Sequence, residues 1–196
     1  IPILLTEIKA PEMDVQESLG LRALWKASPS GVATIGLSGL ASAGFFGVGT
    51  IYAVKAGLSV SETALFMTLF IGFGALSQWP LGWLSDKIDR RKVILLCCVS
   101  VISICIVLAL FEFTNTILLI LSALVGAFTL PLYSLAVAQA NDRLEPKQMI
   151  SASGTIVLVF SIFAALGPFT MSYFLELFEM FGFMIYMGIV HLVIAV

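Results

Sequence analysis

Charge is scarce in this chain. Among its 196 residues only 10 are Lys or Arg and 12 are Asp or Glu, so charged residues make up 11% of the sequence and hydrophobic residues 60%. The mean hydropathy is +1.08. These values exclude an ordinary soluble globular domain, in which about 25% of residues are charged.

Histidine and cysteine are almost as scarce. The chain has one histidine, His191, and three cysteines, Cys97, Cys98 and Cys105, which share one apolar stretch. Enzymes and metal sites need such residues clustered, and disulfide frameworks need them spaced for pairing. We therefore predict no catalytic residue, no metal site and no cofactor, and we interpret the cysteines as small core residues. The few basic residues lie beside apolar runs, which argues against nucleic-acid binding.

The sequence consists instead of six uncharged apolar runs. They are 27–54, 63–85, 93–111, 113–141, 148–175 and 180–196. A helix needs about 20 apolar residues to cross a bilayer, so five runs suffice, while the sixth is slightly short and reaches the end of the chain. Only helices satisfy the backbone over runs of this length in lipid. We predict an all-α polytopic membrane protein with spans at about 29–54, 61–85, 92–111, 115–140, 148–175 and 179–196.

The basic residues lie on one side of this predicted topology. They flank the first run or follow the second and fourth: Arg22, Lys26, Lys87, Arg90, Arg91, Lys92, Arg143 and Lys147. The opposite side has Lys55 as its only basic residue. Because short loops rich in Lys and Arg stay in the cytoplasm, both ends are predicted to be cytoplasmic.

Small and polar residues gather on runs one, two, four and five. Gly39, Ala43 and Gly47 recur every four residues on run one, which predicts a flat stripe for close helix contact. Runs three and six are almost wholly apolar and are predicted to be peripheral.

The most specific pattern is the turn after the second run, with the sequence Gly-Trp-Leu-Ser-Asp-Lys-Ile-Asp-Arg-Arg-Lys from residue 82 to 92. It resembles the cytoplasmic-loop signature of the major facilitator superfamily, roughly G-x-x-x-D-R/K-x-G-R-R/K. The matching residues are Gly82, Asp86, Lys87, Arg90 and Arg91. Asp89 stands where the family has glycine. We expect Gly82 to allow helices to approach, Asp86 to face a helix N-terminus, and the basic residues to clamp acidic groups. The alternative is that the basic residues of this loop only mark it as cytoplasmic and have no role in a mechanism.

Other segments extend this resemblance over nearly the whole chain. They are 2–6 with the acidic leader that follows, 131–133, 140–144, 151–154, 164–168 and 191–192. Together they resemble the C-terminal half of the YcaD-type bacterial branch of the superfamily. The resemblance implies helices seven to twelve of a twelve-helix secondary transporter in the bacterial inner membrane, and its partners would be the lipid bilayer, a small solute and an N-terminal six-helix half. The alternative assignment is a first half.

This resemblance also implies a division of the chain. Residues 1–26 would be a cytoplasmic linker between the halves, and residues 27–196 the six-helix transmembrane domain. Because residue 1 is Ile and the last run reaches the end of the chain, we expect the chain to be a piece of a longer protein.

The resemblance assigns the solute cavity to runs one, two, four and five. The candidates in these runs are Phe45, Phe46, Gln78, Thr129, Tyr133 and Ser134. Gln78 is favoured because an amide both donates and accepts hydrogen bonds. The alternatives are a helix–helix hydrogen bond for Gln78, an interface anchor for Tyr133, and ordinary packing for Phe45 and Phe46.

The coupling ion is less well marked. No Asp, Glu, Lys or Arg lies in the middle of a run, and His191 is the remaining titratable candidate, with a structural histidine as the alternative. Gly167-Pro168 is similar to the Gly-Pro element on the fifth helix of related antiporters, which favours efflux by proton antiport. The alternative is a simple proline kink.

The alternative function is a channel-like or non-transporting structural membrane protein, although no ring of charges or filter loop is visible.

Overall fold

The computed structural model describes residues 19–111 and 113–196, and these form helices joined by short turns. The helices are α1 (Leu21–Ala27), α2 (Pro29–Lys55), α3 (Val60–Lys87), α4 (Arg90–Leu110), α5 (Asn115–Thr129), α6 (Pro131–Asn141), α7 (Pro146–Phe178) and α8 (Met180–Ala195). The described residues include no strand, and the predicted all-α polytopic fold is confirmed. Residues 1–18 of the predicted linker and Glu112 lie outside the described residues.

Five segments are long and apolar enough to cross a membrane. They are α2, α3, α4, the α5–α6 segment Asn115–Asn141, and α7, whereas α8 is a shorter apolar helix. The division into a linker and a transmembrane domain stays a prediction.

Local sequence signals set the helix starts. Pro29, Pro131 and Pro146 each occupy a first-turn position, and at Pro29 and Pro146 the missing N–H costs nothing. Ser59 and Glu62 form a capping box at the start of α3: the Ser59 hydroxyl accepts from the Glu62 backbone N–H, and the Glu62 carboxylate accepts from the Ser59 N–H at 2.8 Å.

The fourth predicted span is interrupted between α5 and α6. Leu130 keeps helical dihedral angles (φ −66°, ψ −35°), so the axis continues across the break. Pro131 has no N–H to donate to the carbonyl of Ala127, four residues earlier. The Ser77 hydroxyl of α3 donates to that carbonyl at 2.7 Å. A neighbouring helix therefore satisfies the backbone group that proline leaves free in the membrane.

α2 is the central helix of the bundle, and its glycines let α7 approach. A Cβ at Gly39 would meet the Phe160 carbonyl at 2.6 Å, and one at Gly47 would meet Pro168 at 2.7 Å. The predicted small-residue stripe on α2 does make a close helix contact.

About 67% of the apolar stretch of α2 is buried, against 22% for α3 and 17% for α7. Contrary to the expectation from composition, α3 and α7 are more exposed than α4, at 33%.

α3 and α5 also pack closely, and they run parallel. The Ser122 hydroxyl donates to the Phe66 carbonyl at 3.2 Å, and Gly126 lies directly against the Phe70 backbone. α4 packs mainly against α8. The described helices therefore form three closely packed pairs, α2 with α7, α3 with α5, and α4 with α8.

We predict that Ser77→Ala lowers the free energy of unfolding by about 1 kcal/mol, the net value of a hydrogen bond. In a Pro131→Ala background the new N–H can donate to the Ala127 carbonyl, so the same change should cost less. Thermal unfolding in detergent of the four chains of this double-mutant cycle measures both values. Ser103→Ala, which removes a hydroxyl bonded within its own helix at 2.8 Å, is the control. An equal cost of Ser77→Ala in both backgrounds would contradict this role.

A second prediction compares two glycines. Gly126→Ala should be strongly destabilising, because its Cβ would overlap the Phe70 backbone and force α3 and α5 apart. Gly72→Ala should be neutral or slightly stabilising, because no described atom lies within 4 Å of its Cβ position and alanine favours the helix. Melting temperatures of both variants test the prediction, and equal temperatures would refute it.

Candidate solute-facing surface and loop clamp

Arg90 connects three helices at the turn between α3 and α4. Its Nη2 lies 2.9 Å from Asp86 Oδ1, and its Nε lies 2.7 Å from Asp142 Oδ2. Its Nη1 donates to the Ser85 hydroxyl at 2.9 Å. Arg90 thereby holds the end of α3 and the start of α4 against the C-terminus of α6. Arg90 thus pairs with two acidic side chains, and its role in holding one conformation of a transporter stays a prediction.

The other signature residues have distinct positions. Asp89 caps α4 and accepts from the Arg91 N–H at 2.9 Å, which explains how an aspartate stands where the family has glycine. The Lys87 ammonium lies 3.7 Å from the centre of the Trp83 ring. A Cβ at Gly82 would meet nothing within 4 Å, so no described helix makes the expected close approach there.

Sequence reasoning missed two residues of this site. Asp142 provides the second carboxylate for Arg90, and Gln139 donates from Nε2 to the Ser30 hydroxyl of α2 at 2.8 Å. Together with the loop they line a cavity of about 320 Å³. Asp142 lies in the second basic turn of the predicted topology, beside Arg143. An acidic residue in a basic turn was the sequence feature that could have indicated an ion pair.

Two cavity candidates lie inside the bundle. Phe45 is fully buried and stacks on Phe70 with ring centres 3.5 Å apart. Thr129 is 1% exposed, and its hydroxyl lies 3.2 Å from His191 Nε2. Neither residue faces open space in this structure, and ordinary packing accounts for Phe45.

The other four candidates reach the surface of the bundle. Phe46 is 46% exposed and contacts Phe70 edge-on. Gln78 and Ser134 are exposed, and Tyr133 is half-buried with its ring against Phe160 of α7 at 4.6 Å.

Gln78 and Ser134 lie at the same level of the bundle. Gly74 of α3 contacts Leu130, the residue before α6. From this contact the two helices run in the same direction, so Gln78 and Ser134, each four residues further along, lie at the same height in the bundle. Met67, which shares the face of Gly74 and Gln78, contacts Gly49 of α2. The exposed polar groups of Gln78 and Ser134 therefore lie at one level on two adjacent helices that both contact α2. We call Phe46, Gln78, Tyr133 and Ser134 the open surface.

His191 is fully buried and bonded at both ring nitrogens. Nδ1 lies 2.7 Å from the Met187 carbonyl, which can only accept, so in the neutral ring Nδ1 carries the hydrogen. Nε2 then accepts from the Thr129 hydroxyl. This arrangement fits the structural alternative for His191.

Gly167-Pro168 lies at a close contact between α7 and α2. A Cβ at Gly167 would meet the Gly44 nitrogen at 2.6 Å. Beside it the Tyr186 hydroxyl of α8 donates to the Leu40 carbonyl of α2 at 2.9 Å and lies 3.1 Å from the Thr170 hydroxyl. The dipeptide thus forms part of the packing between α2, α7 and α8.

Residues 31–196 match the sequence profile of the Major Facilitator Superfamily. The chain belongs to this superfamily. It is 27% identical over 170 residues to an uncharacterised MFS-type transporter YcaD of Salmonella arizonae, and 24% identical to the protein of that name in Escherichia fergusonii. Each match covers 86% of this chain and 44% of the relative, so the chain spans about half the length of these curated relatives. The resemblance to the YcaD-type branch is confirmed.

We predict that Arg90→Gln loosens the C-terminus of α6. Loss of two partly exposed ion pairs should speed hydrogen exchange at the Asp142 and Arg143 amides by roughly two- to fivefold. Mass spectrometry of the peptide covering these residues gives the measurement. Lys92→Gln changes an exposed charge in the same turn of α4 and should leave the rate unaltered. Equal rates in the two variants would show that Arg90 does not hold α6.

Proposed function

We propose that the chain is the C-terminal six-helix half of a twelve-helix secondary transporter, which moves a small solute by alternating access rather than catalysing a reaction. The open surface carries this proposal: polar groups of α3 and α6 lie exposed beside α2 among membrane-spanning helices. The Ser134 hydroxyl donates to the Pro131 carbonyl of its own helix at 3.0 Å, whereas the amide groups of Gln78 would lack hydrogen-bond partners if they faced acyl chains. A water-filled passage gives them partners, and transporter sites form where two repeats meet.

Two further observations support a missing partner half. The chain covers 44% of the length of its YcaD relatives. Only 17% of the apolar stretch of α7 and 22% of that of α3 are buried. A second six-helix half would cover part of these surfaces, and the remainder would face lipid.

The proposed location is the inner membrane of a bacterium, with both ends in the cytoplasm. The Arg90 clamp and Arg143 lie at one end of the bundle, where basic residues are concentrated, and Lys55 lies at the other. Export by proton antiport remains a prediction from Gly167-Pro168. If a proton drives transport, the buried and doubly bonded His191 is a poor carrier, and the carrier belongs in the other half.

The proposal predicts which positions water reaches. In membranes, Gln78→Cys and Ser134→Cys should react with a charged, membrane-impermeant thiol reagent applied from one side or the other. Val99→Cys is the matched control: Val99 is 49% exposed on α4, an apolar helix that packs mainly against α8, so it should stay unlabelled in lipid. The native cysteines are buried, with at most 5% exposure, and add little background.

Labelling of Gln78→Cys and Ser134→Cys as slow as that of Val99→Cys would place these positions in lipid and overturn the proposed passage. A cycling transporter exposes its site to each side in turn, so labelling from both sides agrees with the proposal. Steady ion conductance across a planar bilayer would favour the channel-like alternative.

A further inference from the structure

A groove between α1, α2 and α7 includes none of the residues of the open surface. It has a volume of about 610 Å³ and is lined by apolar side chains and one arginine. The lining residues are Leu21, Arg22, Trp25, Val32, Ala33, Val159, Ile162 and Phe163. We propose that this groove binds an anionic phospholipid, with an acyl chain among its apolar residues and the phosphate at Arg22.

The groove is held open by a fixed α1. Leu24 is fully buried against α2 and α7, and the Thr155 hydroxyl of α7 donates to the Leu19 carbonyl at 2.7 Å. These contacts hold α1 across the first turns of α2. They set Arg22 and Trp25 at one end of the groove.

The chemistry of the lining selects the ligand. Along the groove, Ile162 and Phe163 are 53% and 37% exposed and offer an apolar surface to an acyl chain. At its end, Arg22 and, one turn later, Lys26 are exposed cations. Trp25, 50% exposed between them, is the residue type that prefers the headgroup level of a bilayer. An apolar groove that ends in cations at that level complements an anionic lipid.

A second groove shows what the cations add. Between α4 and α8 lies a groove of about 310 Å³ lined by apolar residues and Cys105, among them Ile106, Ile189 and Leu192. It has no charged residue in its lining and should accept acyl chains without regard to the headgroup. The α1 groove differs in having Arg22.

The test uses quenching of Trp25 fluorescence in the full chain reconstituted into vesicles. The chain has three tryptophans, so Trp79→Phe and Trp83→Phe make Trp25 the only one. Brominated acyl chains quench tryptophan on contact, and phosphatidylglycerol and phosphatidylcholine carrying the same brominated chains are compared at equal mole fraction. We expect a relative association constant about fivefold higher for phosphatidylglycerol, the factor expected for one basic residue near an anionic membrane surface.

Four variants separate the effect of the charge from the effect of the groove. Arg22→Gln should abolish the preference, whereas Lys55→Gln, which removes an exposed cation at the other end of the bundle, should preserve it. Ala33→Phe should fill the groove and weaken quenching by both lipids, with helicity by circular dichroism checking the fold. Arg22→Lys should retain most of the preference.

The proposal fails if both lipids quench equally, which would indicate ordinary annular lipid or a groove covered by another part of the protein. It also fails if Arg22→Gln leaves the preference unchanged. Loss of the preference in inorganic phosphate at constant ionic strength would identify a free-anion site instead of a lipid site. None of these outcomes depends on transport, so they leave the proposed function standing.

Discussion

Backbone hydrogen bonding in hydrocarbon is the constraint on which this structure depends. Each helix interruption in lipid leaves a carbonyl that needs a donor. At the α5–α6 break the donor is the Ser77 hydroxyl, 2.7 Å from the Ala127 carbonyl. The same hydrogen bond ties α3 to the middle of the fourth span. Proline therefore creates a specific contact between helices instead of only bending one of them.

Close packing is the second requirement, because lipid tails are as apolar as the side chains they would replace and give helices little reason to associate. Glycines on α2 allow this close packing, because Gly39 lies directly against Phe160 and Gly47 directly against Pro168. Gly126 does the same between α5 and α3. These contacts make a stiff unit, as the rigid-body movement proposed for a transporter half requires.

Much of the fold can be predicted from the sequence, because helix length in lipid is set by the bilayer and charge marks the turns. The site is harder. Phe45 and Phe46 are adjacent, but a helix turns about 100° per residue, so one lies in the core and the other on the open surface. Composition does not distinguish them. Asp142 is separated from Arg90 by 52 residues, and only the packing of α3 and α4 against α6 brings them together.

Polar side-chain contacts hold together two groups of helices in the bundle. Arg90 joins α3, α4 and α6 at one end, where water is near and the ion pairs are partly exposed. Tyr186 joins α2, α7 and α8 within the membrane through neutral hydroxyl and carbonyl groups. This placement follows from solvation: a charged pair is inexpensive near water and costly in hydrocarbon, while a neutral hydroxyl that finds a carbonyl is tolerated at depth. The bond between Gln139 of α6 and Ser30 of α2 links the two groups, and the bond between Thr129 and His191 joins α5 to α8.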